Sequence, residues 1–363
     1  MFEYQYRERV VAIVLAPILD FGRCPLASRK SAALWPIAGT PALTRLLVSL
    51  REQGIRDAVI CAYPGGGLGD VACDVPEMRI RCLDEPLPLG NAGCIRDAAG
   101  EDEDALLLVL QAAVISPPRV APLMRAHQQS GSHLTVWLGS ASGDRRTGRT
   151  PELYVCNHKV IDYMPANGYF DIKEGLIPAM VGAGQSVTAR ILSHSTRGFR
   201  DRLSYLSRLG DWLDGDASAQ LAAAGLLSES DNVLRAPGAM IHPDATLHGP
   251  VVVMTGARIE PGAVILGPTI IESHATIAAK AVVDSSAIWP NAVVGPESYI
   301  SQSIIDENAV VPARATVCSN VVLGRQSGRI QTIDRSSVVA VEESDPERLP
   351  EHVGSGAAID ELK

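Results

Sequence analysis

The segment that follows the first predicted strand is where a phosphate-binding loop would lie. Val10–Ala16 (VVAIVLA) is an apolar run typical of a buried strand, and the turn PIAGTP at 36–41 leads into a predicted helix. In α/β folds, a glycine-rich loop after such a strand presents backbone N–H groups to phosphate oxygens. Here the loop, residues 17–23, reads PILDFGR. Pro17 has no N–H to donate, and the carboxylate of Asp20 would repel phosphate, so the loop is poorly suited to this role.

The other reactive residues form no recognised catalytic pattern. The chain contains no Ser-His-Asp order, no zinc-ligand spacing and no P-loop motif. Its seven cysteines, at 24, 61, 73, 82, 94, 156 and 318, include no C-x-x-C pair and are odd in number. This usage indicates buried, reduced thiols in a cytoplasmic protein.

An α/β domain is predicted for the first half of the chain. From residue 10 to about 190, strand-like runs such as DAVICAY (57–63) alternate with helical patterns such as PALTRLLVSLREQGI (41–55). Apolar residues in that helix recur at i, i+3 and i+4, and Gly54 is placed to end it. Alternating strands and helices predict a mainly parallel sheet covered on both faces.

The pattern changes near residue 238, where apolar residues begin to recur at every sixth position, starting with Ile241, Leu247 and Val253. The register slips by one residue before Ile288 and again before Ile305, and each time the spacing resumes. A long run of hexapeptides predicts a left-handed parallel β-helix. Its flat sides favour side-by-side association, so we expect an oligomer.

Three histidines in this repeat, His242, His248 and His274, raise an alternative activity. An acyltransferase built on a β-helix needs a histidine as general base. These three lie in regular hexapeptides, with no inserted loop to form a pocket and no basic cluster to hold a phosphorylated carrier. We expect them to be surface side chains at turns, which makes this the least favoured alternative.

Composition limits the partners and the organisation of the chain. It has 363 residues, of which 46% are hydrophobic and 20% charged, and its net charge is -9. An acidic balance without a basic stripe argues against nucleic acid, and no apolar run is long enough to span a bilayer, so we expect a soluble protein. The predicted organisation is an α/β domain at 1–215, a linker at 216–237, the β-helix at 238–325 and a polar acidic tail at 326–363.

This organisation resembles the sugar-nucleotide pyrophosphorylases, which include the mannose-1-phosphate guanylyltransferases, over roughly residues 9 to 325. The resemblance implies a Rossmann-like nucleotidyltransferase domain of the GT-A type, followed by the β-helix. Several ordered segments carry it: Pro36-Ile37-x-Gly39-x-Pro41 for the family's P-V-x-G-x-P, EPLPLGNAGCIRDA (85–98) for P-L-G-T-A-G-A-L, LLLVLQAAVIS (106–116) for F-L-V-L-N-G-D-V-L, and the run that starts LYVCNHKVIDYMP (153–165).

Under this resemblance, groups that hold the triphosphate are missing. The family's adjacent glycines fall on Pro17 and Ile18, and the lysine of its P-K pair falls on Ala32. Arg23 and Lys30 are the cations that could contact phosphate instead, although each is displaced.

The metal carboxylates implied by the resemblance are lost or displaced as well. The aspartate of the family's N-G-D falls on Ala113, and its second metal aspartate can be supplied by Asp201 only with a one-residue gap. The segment SASGDRRTGRTPE (140–152) lacks the family's sugar-contacting E-K-P. We therefore predict no catalytic residue, no metal site and no cofactor, with Mg²⁺ needed only if the protein is active.

One ligand-contacting turn of the family is retained, in Leu89, Gly90, Asn91 and Gly93. In the family this turn lies against the nucleobase and sugar. It could equally be a tight turn that starts a helix, with both glycines required by close packing. Both interpretations stay open.

These observations support three hypotheses. The leading one is a catalytically degenerate pyrophosphorylase-like protein, a pseudoenzyme that acts as a regulatory, sensing or scaffold subunit. It would assemble through the β-helix with itself or with an active relative, and could bind a sugar nucleotide at the retained turn. The second is an active Mg²⁺-dependent nucleotidyltransferase that makes an NDP-sugar from an NTP and a sugar 1-phosphate. The third is the hexapeptide acyltransferase.

Overall fold

The computed structural model describes residues 9–16, 24–27, 29–62, 68, 75–85, 87, 89–139, 151–215, 217–230 and 232–324. The loop at 17–23 with Arg23, residues 140–150 and the predicted tail at 326–363 lie outside the described residues.

The first half of the described chain is built on a sheet of seven strands. These strands are β1 (Val10–Ala16), β4 (Asp57–Ala62), β5 (Arg79–Asp84), β6 (Leu106–Gln111), β7 (Leu134–Leu138), β8 (Pro151–Asn157) and β9 (Val187–Ile191), and a separate small hairpin consists of β2 (Pro36–Ile37) and β3 (Thr40–Pro41). Their order across the sheet is β5-β4-β1-β6-β8-β7-β9. Strand β8 is antiparallel to both of its neighbours, and the remaining pairs are parallel.

Helices cover this sheet because its central strands are apolar on both faces. The α-helices are α1 (Ala42–Glu52), α2 (Gly90–Ala98), α3 (Val120–Ser130), α4 (Ile177–Gly182), α5 (Arg202–Leu213) and α6 (Ala217–Ala223). Short 3₁₀ or π-helical segments are formed by residues Ala32–Leu34, His158–Tyr163 and Ile172–Leu176. Ala12 and Val14 of β1 belong to the same buried cluster as Leu46 of α1. Ile13, on the opposite face of the strand, belongs to a second cluster with Ile95 of α2. The alternation along the strand therefore separates two cores.

The second half is a stack of short parallel strands in three sheets, which is a β-helix. The first sheet contains β11 (Val233–Arg235), β14 (Val251–Val253), β17 (Thr269–Ile271), β20 (Ala287–Ile288), β23 (Ile304–Ile305) and β26 (Val321–Val322), with β10 (Leu227–Ser230) antiparallel to β11. The second contains β12 (Met240–Ile241), β15 (Arg258–Ile259), β18 (Thr276–Ile277), β21 (Val293–Val294) and β24 (Val310–Val311). The third contains β13 (Thr246–His248), β16 (Val264–Leu266), β19 (Val282–Asp284), β22 (Tyr299–Ser301) and β25 (Thr316–Cys318).

A shortening of the coils explains the register slips in the sequence. Ile259 pairs with Ile277, whereas Ile277 pairs with Val294, so the coil loses one residue at this point. At the shortened corners a ladder of hydrogen bonds forms: Ser303 N–H donates to Ser286 Oγ at 3.0 Å, and Asn320 N–H donates to Ser303 Oγ at 3.1 Å. The hydroxyls therefore satisfy backbone groups at the shortened corners.

An aromatic cluster joins the α/β domain to the β-helix. The ring of Trp35 lies 5.4 Å from that of Tyr205 and 5.6 Å from that of Trp289, both with edge-on geometry. Tyr205 Oη also donates to the carbonyl of Pro36 at 2.6 Å. Trp35, Tyr205 and Trp289 are all fully buried.

The predicted combination of an α/β sheet with a β-helix is confirmed. The segment predicted as a linker, 216–237, contains α6, β10 and β11 in its described part, and β11 already pairs with β14. The first strand of the stack thus precedes the apolar hexapeptide pattern, because Arg235 stands six residues before Ile241, where the other repeats have an apolar residue. Within the described ranges, no helix combines the length and apolar character that a bilayer crossing needs.

Candidate functional site

The end of β6 meets the chain segment that precedes α5, and this meeting defines the candidate site. Val114 and Gly198 form an isolated antiparallel bridge. The N–H of Phe199 donates to the carbonyl of Ala113, with 3.1 Å between N and O. These are the two segments to which the family resemblance assigns the metal carboxylates. The fold has therefore kept their juxtaposition.

The side chains around this meeting point are mainly apolar. Ala113 is only 5% exposed and belongs to one buried cluster with Phe199, Tyr205 and Trp35. Mg²⁺ binds oxygen ligands, usually one or two carboxylates together with phosphate oxygens. The methyl side chain of Ala113 supplies no such ligand, so the described residues at the end of β6 do not fit Mg²⁺.

Asp201 lies at the start of α5 and caps that helix. Its Oδ1 accepts from Ser204 N–H at 2.8 Å and from Ser204 Oγ–H at 2.7 Å, and the backbone N–H of Asp201 donates to Ser204 Oγ at 3.2 Å. This is a reciprocal capping box. Partial burial raises the pKa of Asp201, but the hydrogen bonds from Ser204 and the nearby arginines outweigh it and the pKa lies below its ordinary value. These contacts thus give the Asp201 carboxylate a structural role as the N-cap of α5.

Lys30, a candidate phosphate contact, reaches the β-helix. Its Nζ lies 3.2 Å from Oε2 of Glu307 and 5.6 Å from the ring centroid of Trp289. Its neighbour Arg29 donates from Nη1 to the carbonyl of Gly324 at 3.3 Å. Both cations therefore connect the segment before α1 to the last coils of the β-helix.

The retained turn at Leu89–Gly93 packs on a second backbone segment. The N–H groups of Ala92 and Gly93 both donate to the carbonyl of Phe170 at 3.1 Å, and Phe170 N–H donates to the carbonyl of Leu89 at 2.8 Å. Gly90 has φ of +73°, and a Cβ there would lie 2.5 Å from Phe170 O. The start of α2 is thus satisfied by protein backbone, and Gly90 has a steric reason to be glycine.

The other members of the turn are placed around this contact. Asn91 is partly exposed at the start of α2. A Cβ on Gly93 would lie 3.0 Å from Cβ of Leu89. The structure therefore brings all four predicted turn residues together, whereas Lys30 and Asp201 are each engaged in contacts of their own.

The three repeat histidines are exposed on the β-helix. His242 accepts from the backbone N–H of Asp244 through Nδ1 at 3.1 Å, and His248 ends β13. His274 occupies a corner with φ of +61°. These positions agree with the expectation of surface side chains.

Sequence reasoning missed two arrangements of polar and thiol side chains inside the protein. Glu272 is fully buried, and its Oε2 accepts from Gly39 N–H at 2.7 Å, across the boundary between the α/β domain and the β-helix. Cys61, Glu85 and Cys94 form a cluster inside the α/β domain. No local pattern distinguishes these residues, because long-range contacts create both arrangements.

Two comparisons with known proteins found similarities to this chain. Residues 231–339 match the model of the GMPPB C-terminal domain family. Over 270 residues the chain is 25% identical to "Mannose-1-phosphate guanylyltransferase" of Mycobacterium tuberculosis (strain ATCC 25618 / H37Rv), a match that covers 63% of this chain and 70% of the relative. Both matches support the resemblance drawn from the motifs.

Proposed function

From the premise that this is a sugar-nucleotide pyrophosphorylase-like protein, with nucleotidyltransferase-like ancestry, we propose that it is a pseudoenzyme. It serves as a regulatory or scaffold subunit and does not itself transfer nucleotidyl groups. The observation that carries the proposal is the contact between Phe199 and Ala113. The two segments that should present metal carboxylates still meet, yet an apolar side chain lies on one and a helix-capping aspartate on the other.

The physical chemistry of the reaction supports this proposal. Transfer of a nucleotidyl group to a sugar phosphate requires positive charge held against the phosphates, and positioning and electrostatics supply almost all of the catalysis. Loss of a single electrostatic contact in an enzyme site costs on the order of 10²–10³ in rate. At Ala113 the carboxylate is absent, while Asp201 and Lys30 have structural partners. The missing carboxylate at Ala113 and the structural engagement of Asp201 and Lys30 should together leave no measurable turnover.

The intact β-helix supports a role in assembly. Its strands stack without interruption from β11 to β26, and an aromatic cluster fastens them to the α/β domain. We propose a cytoplasmic homo-oligomer, or a hetero-oligomer with an active relative, that forms through this prism. Binding of a sugar nucleotide at Leu89–Gly93 is a separate part of the proposal, since the packing of Gly90 neither requires nor prevents it.

A turnover assay tests the loss of activity. Pyrophosphate release would be measured from GTP and mannose 1-phosphate, and from UTP and glucose 1-phosphate, with Mg²⁺. The Mycobacterium tuberculosis relative serves as the positive control. We expect a rate equal to the protein-free blank, while the control protein turns over. Mg²⁺-dependent release by the wild-type chain would instead establish an active nucleotidyltransferase.

Assembly and ligand binding need their own measurements. Light scattering on the purified chain, alone and mixed with an active relative, should give a mass above that of one chain. Thermal shift with GDP-mannose or UDP-glucose, with and without Mg²⁺, tests the retained turn: a ligand at about 100 times its Kd stabilises by about 2.7 kcal/mol. A monomeric mass both for the chain alone and for the mixture would contradict the scaffold role.

A further inference from the structure

Two thiols and a carboxylate converge inside the α/β domain, away from the meeting point of β6 and α5. Cys61 lies in β4, Glu85 directly follows β5 and Cys94 lies in α2. One ligand atom from each residue lies within 4.8 Å of the other two. Cys61 and Cys94 are 2% and 5% exposed. Three separate elements therefore aim metal-ligating atoms at one buried point.

The secondary structure holds this arrangement in place. Strands β4 and β5 are parallel, with Cys61 in register with Leu83, and the N–H of Glu85 donates to the carbonyl of Ala62 at 2.8 Å. Cys61 Sγ also lies 4.0 Å from the carbonyl oxygen of Cys94, which brings α2 onto the end of β4. The cluster sits at the carboxyl ends of parallel strands, where open α/β sheets commonly bind ligands.

One oxygen of the Glu85 carboxylate lacks a hydrogen-bond partner in this position within the described part of the chain. Its Oε1 is buried and has no hydrogen-bond partner among the described residues. A buried, unpaired carboxylate oxygen is costly, and a thiol is only a weak donor. A cation at the centre of the cluster would satisfy the carboxylate and both sulfurs together.

We propose that Cys61, Glu85 and Cys94 form a binding site for a thiophilic divalent cation of the Zn²⁺ class. Thiolate ligands select zinc-like ions and disfavour Mg²⁺, so this site is chemically distinct from the magnesium site of nucleotidyl transfer. Zinc–sulfur bonds of about 2.3 Å in a tetrahedron place ligand atoms roughly 3.8 Å apart, which the observed cluster reaches with small shifts. Three protein ligands leave a fourth position for water or another donor.

The cation would have a structural consequence for the retained turn. It would tie α2, which begins at Gly90, to the ends of β4 and β5. The turn at Leu89–Gly93 would then be held by a metal on one side and by Phe170 on the other. This role does not depend on catalysis, so the inference stands apart from the proposed loss of activity.

Metal content and cobalt spectroscopy test the proposal on the full chain. Tag-free protein purified without chelators would be analysed by inductively coupled plasma mass spectrometry, and the reduced, metal-stripped protein titrated with Co²⁺ and then Zn²⁺. We expect one equivalent of Co²⁺ to give a sulfur-to-cobalt charge-transfer band in the near ultraviolet, and Zn²⁺ to displace it. Binding should release protons, because thiols must ionise to bind the metal.

Variants assign the ligands. We expect a loss of Zn²⁺ affinity of more than about 100-fold in each of Cys61→Ser, Cys94→Ser and Glu85→Gln. Mutation of residues that only hydrogen-bond to a metal's ligands costs about 10–100-fold, and loss of a ligand itself should cost more. Cys156→Ser is the matched control, because Cys156 is a fully buried thiol in the same core cluster but is not one of the three ligands. Circular dichroism checks that each variant is folded.

Two results from the wild-type protein would overturn the proposal without any variant, and a third would come from the Cys61→Ser variant. One is a reduced wild-type protein that gives no charge-transfer band at any Co²⁺ concentration below about one millimolar. The other is a protein isolated with Cys61 and Cys94 joined as a disulfide that, after reduction, still takes up no metal; this would make the pair a redox site. Retention of the full band in Cys61→Ser would exclude these ligands.

Discussion

Glu272 of the β-helix and Gly39 of the α/β domain share a hydrogen bond, with 2.7 Å between Oε2 of the carboxylate and the backbone nitrogen. Glu272 is fully buried, and burial raises its pKa to about 7, although the backbone N–H groups of Gly39 and Ala38 and the charge of Arg45 oppose this. The guanidinium of Arg45 lies 5.0 Å from the ring centroid of Trp212. An ionisable group thus lies inside the boundary between the two halves.

The first prediction concerns pH. The folded protein keeps the Glu272 proton up to about pH 7, whereas the unfolded chain loses it near the ordinary value of 4.5. The folded state therefore binds more protons in this window, and the contribution of Glu272 to the free energy of unfolding falls as pH rises through it. Relative to Glu272→Gln, the wild type should lose about 3 kcal/mol between pH 4.5 and pH 8, as urea unfolding at each pH would show.

Glu260→Gln is the matched control for this experiment. Glu260 follows its core isoleucine as Glu272 does, but it is only partly buried and accepts from the N–H of Ala279 at 3.0 Å. We expect the Glu272→Gln difference to change with pH by more than the Glu260→Gln difference does, because only Glu272 is fully buried. A constant difference between wild type and Glu272→Gln across the same range would contradict the role assigned to Glu272.

The second prediction concerns Gly90. In Gly90→Ala, the new Cβ would lie 2.5 Å from Phe170 O, at a backbone φ of +73°. A left-handed non-glycine residue costs on the order of 1–3 kcal/mol, and the collision adds to that cost. Gly131→Ala is the control, because φ there is +65° but nothing lies within 4 Å of the new Cβ. Chemical unfolding should show a clearly larger loss for Gly90→Ala; equal losses would mean that the contact with Phe170 carries no strain.

The third prediction concerns the ladder at the shortened corners. Ser303 is fully buried, and its Oγ accepts from Asn320 N–H at 3.1 Å. Ser303→Ala would remove this hydrogen bond, which costs about 0.5–1.5 kcal/mol. Ser319→Ala, at an exposed corner of the same coil, should cost less than about 0.5 kcal/mol. Thermal unfolding of both variants measures the contrast, and similar melting points would show that the ladder contributes nothing.

The fourth prediction concerns the ion pair of Lys30 and Glu307. Both side chains are partly exposed, at 31% and 43%, so solvent screens their attraction. A double-mutant cycle with Lys30→Ala and Glu307→Ala should give a coupling energy of about 0.2–1 kcal/mol, decreasing with salt. If Lys30→Ala also abolished a thermal shift produced by GTP, Lys30 would be a phosphate contact as well as a partner of the β-helix.

Local patterns were sufficient to predict the fold. Buried strands such as β1 and the hexapeptide spacing both depend on periodicity within the chain. Even the coil shortening was visible, as the register slip before Ile288. The substitution at Ala113 could be found from a motif, and the structure then supplied its apolar surroundings.

Contacts between distant segments could not be predicted in this way. Glu260 and Glu272 occupy the same position of their hexapeptides, and only the packing of Gly39 against the β-helix buries the second one. Lys30 and Glu307 are separated by 277 positions. Cys61, Glu85 and Cys94 have no ligand-like spacing along the chain, because two strands and a helix bring them together.

Three of the four tryptophans lie in the cluster at the boundary between the α/β domain and the β-helix: Trp35, Trp212 and Trp289. All three are fully buried, whereas Trp137 belongs to a different core. The protein therefore carries its own optical probe of how its two halves are docked. Any separation of the halves would admit water to these indoles and shift their emission to longer wavelength, even while the secondary structure of both halves stays intact.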